Sequence, residues 1–209
     1  MRQCVIFCAG GFDGLLAPLT EEDYIIGADG GYVHLQALGL KPDCVLGDFD
    51  SLGYVPQSAI QFPVEKDDTD AMLAVRHGLD RGYRRFLLYG SLEGPRLDHT
   101  VANFQTLQYL ADHGAQGYLI GKHQVVTVLR EGALKFPKGC QGDISLFCLG
   151  EPARGVDLEG LQYSLTDGTL ESGFPLGVSN HFTEAVAKVT VRQGSLMIIF
   201  DRQNGLVWK

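Results

Sequence analysis

The sequence predicts an α/β domain followed by an all-β domain. Three observations carry this. Apolar runs alternate with helical stripes over the first 120 or so residues, which implies βαβ units and a mainly parallel sheet. From about residue 122 the runs become short and alternating, separated by Gly, Asp, Pro and Ser. Acidic turns recur just past the apolar runs of the first half: Asp48 and Asp50, then Asp67 to Asp70, then Asp98. The boundary falls at 121–124, giving domains 1–122 and 123–209.

Residues 3–9 read as the first strand, ended by the Gly-rich turn Gly10-Gly11-Phe12-Asp13-Gly14. Tyr24 to Ala28 reads as the second, ending at Asp29-Gly30-Gly31. A short helix from Tyr32 to Leu38 follows, with Gly39 as its C′ residue. Pro42 blocks extension, and 43–46 form the third strand. Residues 60–64 read as the fourth. Asp67 or Asp68 can cap the next helix, whose Ala71, Val75 and Leu79 recur every four residues. Arg85 to Tyr89 is the fifth strand. Asp98 to Asp112 forms the longest helix, with Val101, Phe104, Leu107 and Leu110 on one stripe. Residues 117–120 are the sixth strand. Beyond them, 125–129, 143–149, 185–191 and 195–200 read as strands, and Arg192-Gln193-Gly194 reads as the turn of a hairpin joining the last two.

The chain has 209 residues, 45% of them hydrophobic, enough for one large or two small domains with a core. No apolar run approaches the roughly 20 residues that span a bilayer, so no membrane partner is expected. The first residues are too quickly ended by glycines for a signal peptide. The net charge of −8 argues against broad nucleic-acid binding, though not against a phosphate-bearing small molecule met through divalent cations. The five cysteines form no CxxC pair and read as reduced thiols in a cytoplasmic protein.

In open α/β sheets, ligands bind outside the carboxyl ends of the strands. Asp29, Asp48, Asp50, Asp70 and Asp98 all fall just past a strand and should gather along one edge. If the extended geometry of the third strand continues, Asp48 and Asp50 point one way while Phe49 anchors the loop in the core. Two like charges that close need a cation, and hard oxygen ligands suit Mg²⁺. Singly, each acid could merely cap a helix or fill a turn. Lys66, Thr69 and a helix N-terminus form a phosphate cradle, and Arg96 adds a bidentate donor. Among the six histidines, only His99, beside Asp98, is a site candidate. No G-x-x-x-x-G-K-[ST], G-x-G-x-x-G, H-E-x-x-H or G-x-S-x-G occurs.

The ordered set Ala28-Asp29-Gly30-Gly31, Gly47-Asp48-Phe49-Asp50-Ser51, Lys66-Asp67-Asp68-Thr69-Asp70, Arg96-Leu97-Asp98-His99-Thr100, Asn103 and Gly177-Val178-Ser179-Asn180 closely resembles the thiamine pyrophosphokinase family. The resemblance runs from residue 28 to about 182. It implies a Rossmann-like ATP-binding domain, a β-sandwich, a homodimer with its site at the subunit interface, and Mg²⁺-dependent pyrophosphate transfer from ATP to the thiamine hydroxyl, releasing AMP. It also implies roles. Asp48, Asp50 and Asp70 would hold Mg²⁺ and the ATP phosphates, with Asp98 beside them as metal ligand or proton acceptor. Asp29, Gly30, Lys66, Asp67, Thr69, Arg96 and His99 would meet ATP, and Asn103, Ser179 and Asn180 would meet thiamine. Two positions depart from the family: Pro95 stands where it usually has Gly, and His181 where it often has Glu. A metal-dependent phosphohydrolase and a non-enzymatic nucleotide-binding sensor are the rival readings.

Overall fold

The computed structural model describes residues 2–208; Met1 and Lys209, the outermost residues of the two expected domains, lie outside it. The protein is mostly sheet with few helices, and it divides into two compact units, Met1–Lys122 and His123–Lys209.

The first unit is built mainly on apolar runs, which suit strands covered on both faces, with one short exposed strand at the end of the order. These are β1 (Cys4–Phe7), β2 (Tyr24–Ala28), β3 (Cys44–Gly47), β4 (Ile60–Gln61), β5 (Arg85–Tyr89) and β6 (Gln116–Ile120). All pair in parallel, in the order β6-β5-β1-β2-β3-β4. The chain steps outward from β1 to β4, then returns to place β5 on the other side of β1. That reversal makes the carboxyl ends of β1 and β5 the switch point where such sheets open a crevice. Helices α1 (Tyr32–Leu38), α2 (Asp70–Asp80) and α3 (Leu97–Asp112) make the connections that contain helix.

Val5, Ile6, Phe7, Leu87 and Leu88 are buried, each stabilising the fold by about 1.5–3 kcal/mol. Phe7 stacks on Tyr89 at 5.3 Å, and Phe12 meets Tyr89 edge-on at 5.7 Å, which pins the loop after β1 to the sheet. Gly31 must be glycine: a Cβ there would stand 1.8 Å from the Phe7 carbonyl oxygen.

Several boundaries differ from the sequence reading. The first strand stops at Phe7 and the fourth at Gln61, just ahead of Pro63, which has no N–H to give a ladder. The cap of α2 is Thr69, not Asp67 or Asp68; its Oγ1 accepts from the Met72 N–H at 3.2 Å. On α3, Leu107 and Leu110 are buried, but Val101 is 49% exposed, so the expected stripe packs only in the helix's second half. Gly39 does end α1, with φ +65° and its N–H on the Gln36 carbonyl.

The second unit holds β7 (Gln124–Phe136), β8 (Asp143–Cys148), β9 (Ala153–Glu159), β10 (Leu165–Leu170), β11 (Gly177–His181) and β12 (Ala187–Asp201), all antiparallel. β12 pairs with β7 along its whole length. Its other edge takes β9 in the first half and β8 in the second, while β10 adds to β9 and β11 to β8. The expected final hairpin is therefore corrected. Residues 192–194 are a bulge within one strand, where the register jumps from Val191↔Gly132 to Ser195↔Arg130. Arg-Gln-Gly suits a bulge as well as a turn, because both need an unpaired residue and tolerate glycine. Thr166-Asp167-Gly168, one of the Gly- and Asp-bearing clusters expected to separate strands, lies inside β10, again at a register shift.

Candidate active site

Three carboxylates converge at the carboxyl ends of β2 and β3. Asp29, Asp48 and Asp50 each offer an oxygen, and these atoms all lie within 4.8 Å of one another. Asp29 follows β2 directly, 8% exposed, with φ +47° at the start of a 3-10 turn. The convergence of Asp48 and Asp50 has a different cause from the one expected. The strand does not continue: Gly47 has φ +151° and Phe49 φ +62°, so the backbone turns left-handed between the two acids. Phe49 is 3% exposed, and its burial holds a conformation that a non-glycine residue adopts at a cost of about 1–2 kcal/mol. The Asp50 N–H donates to Asp48 Oδ1 at 3.2 Å.

The partners of these acids are unequal. Asp29 Oδ2 accepts from the Ser51 hydroxyl at 2.6 Å, while Asp29 Oδ1 is buried without a hydrogen-bond partner. Lys66 Nζ donates to Asp48 Oδ2 and stands 3.3 Å from Asp70 Oδ1. Lys66 thus bridges two carboxylates instead of standing clear for a ligand. Burial disfavours the charged form of Asp48, but hydrogen bonds from Lys66 and from the Asp50 backbone outweigh it and hold the carboxyl below its usual range. Burial also opposes the Lys66 charge, and Asp48 and Asp70 reverse that, raising the ammonium. Asp70 goes the other way: burial, then the charges of Asp48 and Asp29, raise it against the pull of Lys66. Burial, with help from Asp70, pushes the Cys8 thiol up to about 12 and keeps it inert.

Asp70 lies in the first turn of α2 but outside the close group of three, so among the described residues the cation-sized cluster is Asp29, Asp48 and Asp50. Gly30 packs on the same loop: a Cβ there would approach Ser51 Oγ to 2.9 Å. Thr69 Oγ1 accepts the capping hydrogen bond, which leaves its O–H proton to donate elsewhere. Asp67 is exposed, and Asp68 pairs with Arg76 at 2.6 Å.

Arg96, expected at the ATP phosphates, and Asp98, expected beside the metal, are exposed and pair with each other, Nη2 to Oδ2 at 2.6 Å and Nε to Oδ1 at 3.0 Å. The guanidinium holds the Asp98 carboxyl down to about 2. His99 is exposed at the start of α3. Asn103 is buried, and its amide donates to the Ser91 carbonyl at 2.7 Å, fastening the loop after β5 to α3. Glu93, which the sequence reading passed over, accepts the Lys122 N–H at 2.7 Å and leaves Oε2 buried and unpartnered. Its only sequence signal is its place in the loop after β5.

In the second unit, Ser179 is exposed with φ +57°, and its N–H donates to Ser145 Oγ at 3.1 Å. Asn180 is 4% exposed. Its Oδ1 accepts from the N–H groups of Tyr163 and His181, each at 2.9 Å, and its Nδ2 donates to the Tyr163 carbonyl at 2.7 Å. Asn180, expected to meet the substrate, clamps the chain just after β9 through these bonds. His181 Nδ1 lies 2.5 Å from Asp143 Oδ1.

Hard oxygen donors at this spacing, one of them buried and unpartnered, suit a small divalent cation. The comparisons with known proteins agree on one family. Residues 17–119 match the family described as thiamin pyrophosphokinase, catalytic domain, and 133–196 match its vitamin B1 binding domain. A thiamine pyrophosphokinase of Bacillus subtilis (strain 168) is 28% identical over 204 residues, 91% of this chain and 95% of that protein. A thiamin pyrophosphokinase family protein of Enterococcus faecalis superposes with a TM-score of 0.77 at 27% identity, covering 96% of this chain and 98% of that one. The crystal structure of thiamin pyrophosphokinase from Geobacillus thermodenitrificans gives 0.78 at 26%, over 96% and 97%. With both units matched, the chain belongs to the thiamin pyrophosphokinase family.

Proposed function

We propose that this chain transfers a pyrophosphoryl group from ATP to the hydroxyl of thiamine, giving thiamine diphosphate and AMP. The observation that carries the reading is the Asp29, Asp48, Asp50 group with its unpartnered buried oxygen, in a chain of this family. Those three residues would hold Mg²⁺. When bound, the ion neutralises phosphate charge and draws electron density from the β-phosphorus.

The chain's own residues do the rest by placement, since phosphoryl-type transfer asks for positioning and charge neutralisation. Lys66, held between Asp48 and Asp70, keeps one positive charge at the mouth of the cluster. Arg96 is exposed and turns from Asp98 to the phosphates when ATP arrives. Asp98 is thereby freed to take the proton of the thiamine hydroxyl. The bond formed is thiamine oxygen to β-phosphorus; the bond broken joins the β-phosphorus to the oxygen that leaves with AMP. His99 and Asp67 lie at the rim for the nucleotide, with Gly30 giving close backbone approach. Asn103 and Asn180 act as positioning residues, and the Ser179 hydroxyl meets the thiamine pyrimidine.

We read the first unit as a Rossmann-like catalytic domain and the second as a β-sandwich that binds thiamine and joins two subunits, with the site at their interface. Free thiols support a cytoplasmic setting. No helix among the described residues is long and apolar enough to cross a membrane. Incubation with ATP, Mg²⁺ and thiamine should release AMP and thiamine diphosphate in equal amounts. Phosphate as the sole product would establish a hydrolase instead, and no turnover a sensor.

A further inference from the structure

A second concentration of charge sits at the other end of the first sheet. Arg2, Arg81, Arg84 and Arg85 line an open cavity of about 440 Å³ together with Gly82 and Tyr83. Arg2 stands just ahead of β1 and Arg85 opens β5, so the cavity lies at the amino ends of the strands. The carboxylate cluster lies past the carboxyl ends, a strand length of roughly 13 Å away.

The arginines are held by aromatic rings. Arg2 Nη2 donates to the Tyr83 hydroxyl at 3.1 Å and its guanidinium covers that ring at 5.2 Å. Arg81 Nε donates to the Tyr24 hydroxyl at 2.9 Å and covers that ring at 5.4 Å. Tyr24 and Tyr83 stack at 5.4 Å, so the two supports form one rigid block. Arg84 Nη1 donates to the Tyr83 carbonyl at 2.8 Å. Among the described residues no carboxylate forms an ion pair with Arg2, Arg81 or Arg84. Asp43 and Asp80 are the nearby acids, acting weakly on Tyr24 and His77.

The chain carries a net charge of −8 and only 17 Lys and Arg, yet four of them gather round one hollow. Arginine on an aromatic face is a common surface support, and it explains Arg2 and Arg81 singly. It does not explain their gathering with Arg84 at one concave site, where guanidinium groups without a carboxylate ion pair among the described residues repel one another. Guanidinium groups match phosphate oxygens bidentately, and preorganised ones lose little freedom on binding. We propose that this cavity binds an oligophosphate, a linear anion of two or more linked phosphates, without a metal ion.

The test is calorimetric titration of the intact protein with sodium tripolyphosphate, and in parallel with ATP, both in EDTA at low salt. The expected result is saturable binding of each probe that weakens as salt is raised. Arg2→Gln/Arg81→Gln should bind both at least roughly tenfold more weakly, with Arg2→Lys/Arg81→Lys losing less. Equal losses for the two probes identify the phosphates as the recognised group, whether inorganic or carried by a nucleotide. Turnover of ATP and thiamine in saturating Mg²⁺, where the nucleotide is metal-bound, should stay unchanged in every variant, because Arg2 and Arg81 lie at the opposite ends of the strands from the carboxylate cluster. Should the double variant melt early, Arg2→Gln alone, whose recorded hydrogen bond is with the Tyr83 hydroxyl, carries the comparison. Wild-type protein that takes up neither probe at millimolar concentration, or a folded Gln variant that binds as tightly as wild type, overturns the proposal.

Discussion

Ser51 gives its hydroxyl proton to one oxygen of Asp29 over 2.6 Å, while the other oxygen of that carboxylate is buried and has no hydrogen-bond partner. The serine fixes the orientation of the acid without satisfying it. Ser51→Ala should therefore weaken Mg²⁺ binding by about 10-fold, the range seen when a ligand loses its supporting hydrogen bond. Asp50→Asn, which removes a ligand outright, should lose more. Titration calorimetry with MgCl₂ measures both. Unchanged affinity in the two variants would remove the metal from this cluster.

Lys66 and Asp48 are occluded, with side chains 13% and 10% exposed. Lys66→Ala should cost about 1–3 kcal/mol of stability by leaving two carboxylates facing each other. It should also raise the KM for ATP by roughly tenfold. A variant with altered thiamine KM and normal ATP KM would move the nucleotide elsewhere.

Opposite pH behaviour is expected from Asp48 and Asp70. Asp48 is held below its usual range, so its stabilisation is present above the unfolded value and is lost as pH falls through the folded one. Asp70 is raised, so its ionised form costs stability at neutral pH, and the cost vanishes below the unfolded value of about 3.9. Asp70→Asn should melt higher than wild type near pH 7 and alike near pH 3, while turning over more slowly. Thermal melts at both values decide it; a lower melting temperature near pH 7 contradicts the assignment.

Asn180 and Ser179 are adjacent but differ in employment. Asn180→Ala removes three hydrogen bonds from a buried side chain and should cost about 2–4 kcal/mol. Ser179→Ala should leave the melting temperature unchanged and raise the thiamine KM. Melting curves paired with thiamine kinetics separate the roles, and a Ser179→Ala enzyme with normal thiamine KM would exclude contact by that hydroxyl.

The parallel half was legible because its strands are continuous apolar runs ended by glycine and acid. Cys4 to Phe7 and Arg85 to Tyr89 admit few other readings. The carboxylate group was legible as a set, but its membership was not. Whether Asp29 or Asp70 completes it depends on the left-handed turn at Phe49 and on the reach of Lys66, neither of which leaves a pattern in the sequence. The antiparallel half was harder to read. β10 has one buried residue and β11 mixes buried with exposed ones, and Thr166-Asp167-Gly168 and Arg192-Gln193-Gly194 carry the composition of turns while serving as bulges. The burial of Asn180 was not legible for a related reason: a buried amide that clamps backbone and an exposed one look alike in one dimension.

β12 supplies the central edge of the second unit, since β7, β8 and β9 all pair with it. It is also the strand made last. During synthesis, β7, β8 and β9 leave the ribosome before the β12 edge they share is made, and long-range pairing of this kind closes slowly. The first unit has all six of its strands in hand by residue 120 and can fold while translation continues. The nascent chain thus acquires its acidic cluster well before its antiparallel half closes, and the interval exposes bare strand edges that invite chaperone capture or misassembly.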